Sequence, residues 1–254
     1  MGRHLTVAEI VALMFGRAEG TTLEKLLEHN RAFTRFRNPA LVDLLVEESR
    51  RLVVRDPFAA VELAECAHDA ALRVSIDEVG RSWAMTCIAR ANAHIGNSLR
   101  ATGELRRSEG VLQGALAHFD ADGNGDPLVE AELLRFLASL RSDQRKFVEA
   151  EAYLDMAKAL YDRCGQALQS ARVLVKKGVL LFDAGLPERA IAAVTQALEV
   201  VTPAADQHLY LIARHNLTDY LQEVGRYLDS WRSMEALAPL YDQYTDSWTQ
   251  ARRA

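Results

Sequence analysis

The chain has 254 residues, 49% of them apolar and 26% charged, with a formal net charge of −5. That length buries a sizeable core and fits one large domain or two ordinary ones. The acidic balance excludes a general nucleic-acid binder, which carries a basic surplus, so no direct nucleic-acid partner is expected.

In chain order, residues 1–38 read as two short helices joined around Gly16 to Gly20, with Thr21 or Thr22 capping the second. Basic residues follow at Arg31, Arg35, Arg37, Arg50, Arg51 and Arg55, but Asp43, Glu47, Glu48 and Asp56 are interleaved with them. Five segments then share one pattern: "RDPFAAVELAECA" (55–67), "GELRRSEGVLQGA" (103–115), "RKFVEAEAYLDMA" (145–157), "GLPERAIAAVTQA" (185–197) and "GRYLDSWRSMEAL" (225–237). Each opens on a turn, and its sixth residue is small: Ala60, Ser108, Ala150, Ala190 or Ser230. The tenth is Ala64, Leu112, Leu154, Val194 or Met234, and the thirteenth is Ala67, Ala115, Ala157, Ala197 or Leu237. Spacings of four and three put these positions on one helix face, where small side chains let another helix approach closely.

Upstream of each turn runs a second amphipathic stretch with a small residue at Gly96, Ala138, Gly178 and Thr218. The first unit has Glu48 at that place and is the poorest match. The unit is helix, short turn, helix, and the last three units recur at a spacing of about 40 residues. "YD" at 161–162 returns at 241–242, so "TDSWTQARRA" reads as the opening of a sixth unit. "DADGNGDP" (120–127) falls between two units. Asp120, Asp122 and Asn124 stand where a calcium loop places its first ligands, but Ala131 occupies the position of its bidentate glutamate. The stretch therefore reads as a turn, with Asp126 capping a helix that starts at Pro127.

Over residues 40–254 this pattern resembles the tetratricopeptide repeat, whose period is about 34 residues. The resemblance implies an all-α, right-handed α-solenoid of stacked helix-turn-helix units, with residues 1–38 as a separate segment and 39–254 as the superhelix. It also implies a concave groove walled by the first helix of each unit, binding a peptide or partner protein. Carried over by position, the groove residues are Arg90, Asn97, Arg100, Arg135, Ser139, Arg172, Lys176, His215 and Asp219. Arginine grips carboxylates with two parallel bonds and asparagine both donates and accepts, so an acidic or extended segment is the expected ligand.

The first 38 residues are similar to the zinc-binding domain of bacterial anti-sigma factors. His4 and His29 stand in the histidine places, whereas Phe33 and Phe36 replace the cysteines. Phenylalanine coordinates nothing, so no zinc is expected. One reading makes this segment a helical cap on the first repeat; the other makes the protein a regulator whose partner is a sigma factor, with the repeats as sensor. The groove serving a small molecule is a third option.

Nucleophile-elbow, P-loop, dinucleotide and zinc-protease motifs are absent from the sequence, so no enzyme and no cofactor are expected. His215 and Asp219, four apart, form half of an acid–base or metal site at most. Cys66, Cys87 and Cys164 form no CxxC pair and read as free thiols of a cytoplasmic protein. No apolar run is long enough to span a bilayer, and no membrane partner is expected.

Overall fold

The computed structural model describes residues 39–122, 125–237 and 240, so the expectations for residues 1–38 and for the sixth unit lie outside the described residues. All described elements are helices: α1 (Pro39–Leu52), α2 (Pro57–Ala71), α3 (Ile76–Val79), α4 (Arg81–Ala101), α5 (Leu105–Asp122), α6 (Pro127–Asp143), α7 (Phe147–Arg163), α8 (Ala167–Asp183), α9 (Pro187–Leu198), α10 (Pro203–Glu223) and α11 (Tyr227–Glu235). They form two compact units that divide between Gly125 and Asp126, inside the "DADGNGDP" stretch. The first unit contains the hairpins α1–α2 and α4–α5, with α3 between them; the second contains α6–α7, α8–α9 and α10–α11.

Within each unit the hairpins stack in sequence order. In the first, α2 packs on its own α1 and on α4; in the second, α7 packs on α6 and α8, and α9 on α8 and α10. The core of the second unit is built from Leu174, Val175, Leu181, Val194, Leu217 and Leu221, with Phe182 and Tyr220 stacked at 4.5 Å between ring centroids. Leu41, Val42, Val46, Ala84, Cys87 and Ala91 form a core in the first.

The 40-residue spacing comes from long helices and short turns: α6, α7 and α8 each have 17 residues, separated only by residues 144–146 and 164–166. The first helices begin at Pro127, Ala167 and Pro203, but α10 has a break at Asp206 (φ −160°, ψ 96°). Asp206 accepts the Leu209 amide at 2.9 Å, so the regular part of α10 restarts at residue 207, forty beyond Ala167. Other starts follow the same logic, with Asp56, Asp126 and Thr202 capping the helices that begin at Pro57, Pro127 and Pro203. Asp126 accepts from Leu128 at 2.8 Å, as the sequence predicts.

Four of the five described hairpin turns share one geometry. After α4, α6, α8 and α10 the chain takes a positive φ at Gly103, Arg145, Gly185 and Gly225. The next amide reaches back to a carbonyl five residues earlier, as in Lys146 to Arg141 at 2.8 Å and Leu186 to Leu181 at 2.9 Å. These two-bond caps satisfy carbonyls that the helix leaves unpaired. At one of the four turns arginine stands where glycine would be unstrained, its guanidinium 4.6 Å from the Phe147 ring. Arg141, buried at the same turn, lies 2.8 Å from the Glu149 carboxylate and donates to Gln144 at 2.7 Å.

The sixth-position residues Ala60, Ser108, Ala150, Ala190 and Ser230 are all buried, as are Ala67, Ala115, Ala157, Ala197 and Leu237 at the thirteenth. The first-helix small residues meet the tenth: a Cβ on Gly96 would collide with Leu112, and one on Gly178 with Cγ2 of Val194. In the first hairpin the small residue at this crossing is Ser49 rather than Glu48. Its Oγ donates to the Ala60 carbonyl at 2.8 Å, as Ser108 donates to Gly96 at 2.7 Å. The turn after α1 differs, with the Leu52 carbonyl accepting from both Arg55 and Asp56, and this moves the crossing by one residue.

Two stability measurements check this geometry. Arg145→Gly should be more stable than Arg145→Ala by about 1 kcal/mol in denaturant unfolding, since both lose the Phe147 contact and differ chiefly in the cost of positive φ. Gly178→Ala should destabilise by about 1 kcal/mol, an overpacking cost partly offset by helix propensity. In a Val194→Ala background, where the colliding methyl is gone, the same substitution should become stabilising; a cost unchanged by that background would place Val194 elsewhere.

Candidate functional site

The residues expected to line a groove all sit on first helices: Arg90, Asn97 and Arg100 on α4, Arg135 and Ser139 on α6, Arg172 and Lys176 on α8, His215 and Asp219 on α10. Arg90 and Asn97 are seven apart and share a helix face. Asn97, Ser139 and His215 are nearly buried, whereas Arg90, Arg100, Arg135, Arg172, Lys176 and Asp219 keep exposed surface.

The arginines are not solvated in isolation. Arg90 pairs with Asp43 on α1, and Arg172 pairs with Asp206 at the break in α10, so each links two first helices of its own unit. Arg135 lies 3.6 Å from Glu132 on its own helix and 5.4 Å from the Phe136 ring, and it also hydrogen-bonds the buried Tyr161 on α7. Burial pushes the Tyr161 hydroxyl above the usual tyrosine range; Arg135 opposes that shift, and nearby Glu132 adds to it. Arg100 donates to the Asn97 side chain at 3.3 Å, and the Ser139 hydroxyl donates to the Arg135 carbonyl at 3.0 Å. Arg90, Arg135 and Arg172 are thus each matched by a carboxylate, which the spacing of like residues along the sequence does not reveal.

Cys87 stands beside the Arg90–Asp43 pair. Burial raises its thiol pKa, the Asp43 carboxylate raises it further, and Arg90 only partly offsets them. A thiol held in this state is a poor nucleophile at neutral pH.

Further ion pairs join the first helix α8 and the second helix α9 to the second helix α7. Lys177 reaches from α8 to Glu151 at 2.9 Å and Asp155 at 2.6 Å on α7, and Arg189 on α9 reaches the same Glu151 at 2.6 Å. Burial works against the Lys177 charge, but its hydrogen bonds to Asp155 and Glu151 outweigh it and hold the amine above the usual lysine range. On α11, Tyr227 and Trp231 are 71% and 67% exposed, one turn apart. Met234, at the tenth position of its segment, is 42% exposed, where Leu112, Leu154 and Val194 are buried.

Among the described residues no group of three or more histidine, cysteine, aspartate or glutamate side chains is placed to hold a metal ion. No described helix is long and apolar enough to cross a membrane. His4, His29, Phe33 and Phe36 lie outside the described residues.

No family model and no curated protein matches the chain. Solved structures do. A Podosopora anserina putative kinesin light chain with nearly identical TPR-like repeats superposes with a TM-score of 0.58 at 14% identity, covering 83% of this chain and 99% of that one. A point variant of the same protein gives 0.58 at 14% identity, covering 85% of this chain and 98% of that one. BtubC (BKLC) from P. vanneervenii gives 0.57 at 19% identity, covering 90% of this chain and 95% of that one. At these identities the likeness is one of fold: the chain has the TPR-like helical-repeat architecture that the spacing of its small residues predicts.

Cys66 and Cys87 are buried and Cys164 is half-buried, all three as free thiols. In the native protein a thiol reagent should therefore modify Cys164 first, with Cys66 and Cys87 reacting only on unfolding; three equivalents reacting at one rate would contradict this placement.

Proposed function

We propose that this protein is a non-catalytic interaction scaffold that holds an extended acidic segment of a partner protein against the first helices of its hairpins. Helical repeats of this kind commonly present such surfaces. The observation that carries the reading is the pair of arginines on first helices of the second unit, Arg135 and Arg172, each already beside a carboxylate of its own chain and each still partly exposed. A partly exposed ion pair is worth about 0–1 kcal/mol. A carboxylate from a ligand therefore replaces Glu132 or Asp206 at little cost, and the arginine's second pair of donors adds bidentate geometry. The internal acids select against ligands of low charge density, because a neutral segment offers nothing in exchange. A cytoplasmic location fits the free thiols.

The test uses the full chain as bait in its source cells, with the retained partner identified by mass spectrometry and then measured against variants. Arg135→Glu combined with Lys176→Glu should abolish retention at unchanged far-ultraviolet circular dichroism. Asp206→Asn should strengthen it several-fold, since asparagine still caps α10 but no longer competes for Arg172. Retention undiminished by the double reversal would rule this surface out.

A further inference from the structure

In the second unit a cleft of about 390 Å³ opens between α9, α10 and α11, lined by Thr195, Arg214, Arg226, Asp229, Arg232 and Ser233 over an apolar floor. None of these was expected from the sequence to have a role. Among the described residues, three arginines line this space with a single carboxylate. Asp229 takes Arg226 at 2.8 Å and Arg232 at 3.5 Å. Arg214 pairs with no carboxylate among the described residues. Its Nε donates to the Tyr210 hydroxyl at 3.0 Å, and its guanidinium lies 5.3 Å from the Tyr210 ring. This holds the side chain in place through one nitrogen and leaves the two terminal nitrogens to donate.

Two further features make the cleft more than a charged patch. Its floor is apolar and buried at Ile191, Leu217 and Leu221, which lowers the local dielectric and strengthens any ion pair formed above it. Its lining includes the exposed Thr195, and the buried Ser233 hydroxyl donates to the Arg214 carbonyl at 3.4 Å, pinning α11 to α10. The volume lies within the roughly 300–1,000 Å³ usual for small-ligand sites.

We infer that this cleft binds a phosphomonoester dianion. Among the described lining residues Asp229 neutralises one of the three arginines, and two positive charges remain. A single carboxylate leaves one of these uncompensated, whereas a phosphomonoester carries about −1.5 to −2 charge and three acceptor oxygens. Those oxygens match the paired donors of arginine and a hydroxyl of the lining. The site is separate from the first-helix arginines of the proposed function: it uses none of them, and either can fail without the other.

The experiment titrates inorganic phosphate, N-acetyl-phosphoserine amide and N-acetyl-glutamate amide into the full-length protein at low salt, followed by calorimetry. Saturable binding of a phosphate probe, at least tenfold tighter than the glutamate amide, is expected. Tighter binding of the phosphoserine amide assigns the dianion to a modified side chain; tighter binding of inorganic phosphate assigns it to a free phosphorylated molecule; both support the site. Arg214→Gln should weaken binding at least tenfold, while Arg163→Gln, a change of equal charge on an exposed part of α7, should leave it unchanged. Asp229→Asn should tighten it several-fold by releasing Arg226 and Arg232, and this arm stands even where Arg214→Gln lowers the melting temperature. No saturation below about 10 mM, equal binding of the glutamate amide, equal loss in Arg214→Gln and Arg163→Gln, or no gain in Asp229→Asn would each overturn the assignment.

Discussion

Close approach of two helices at a crossing where one side chain is absent governs this structure. At Gly178 the α8 backbone comes so near α9 that a methyl group would meet Val194, with the Ala190 carbonyl only 3.4 Å from where it would sit. Gly96 stands in the same relation to Leu112. Once that distance is set, the residues around it have little latitude. The sixth and thirteenth positions must be small or buried, the tenth fills the space left by the missing side chain, and the turn between must be short. Four of the five described hairpins meet that last demand with a positive φ at the same place.

Packing and ion pairs contribute differently. A fully buried leucine or valine stabilises by about 1.5–3 kcal/mol, and the second unit alone buries many of them. Partly exposed pairs such as Arg172–Asp206 stabilise by about 0–1 kcal/mol each. The stack is therefore held by its core, and the ion pairs along the first helices add little to it. The same inequality separates the roles of arginine here. Arg141 is buried at a turn beside Glu149 and cannot be exchanged without leaving a buried charge, whereas Arg90, Arg172 and Arg214 keep surface through which a ligand can reach them.

The break at Asp206 shows one residue serving fold and surface together. Its backbone leaves the helical region, one carboxylate oxygen caps the restart of α10 and the other meets Arg172 on α8. A ligand that draws Arg172 away leaves the cap intact, so recognition at this point need not cost helix structure.

The helices, their forty-residue spacing and the small residues at their crossings were legible in the sequence, because those features are local: a period of 3.6 residues, a cap before proline and a glycine after a helix each write themselves into neighbouring positions. Ser49 was missed for the same reason it works, since a different turn moved the crossing by one residue and a register counted from the other units points to Glu48. The division between Gly125 and Asp126 and the burial of His215 were not legible either. Least legible was which charge meets which. Asp43 lies 47 residues from Arg90, and Arg214 is separated from Arg226 and Arg232 by a helix end and a turn. Periodicity identifies the face a side chain occupies, but Coulomb pairing depends on distances of a few ångströms between segments far apart in sequence, and only the packed helices bring those segments together.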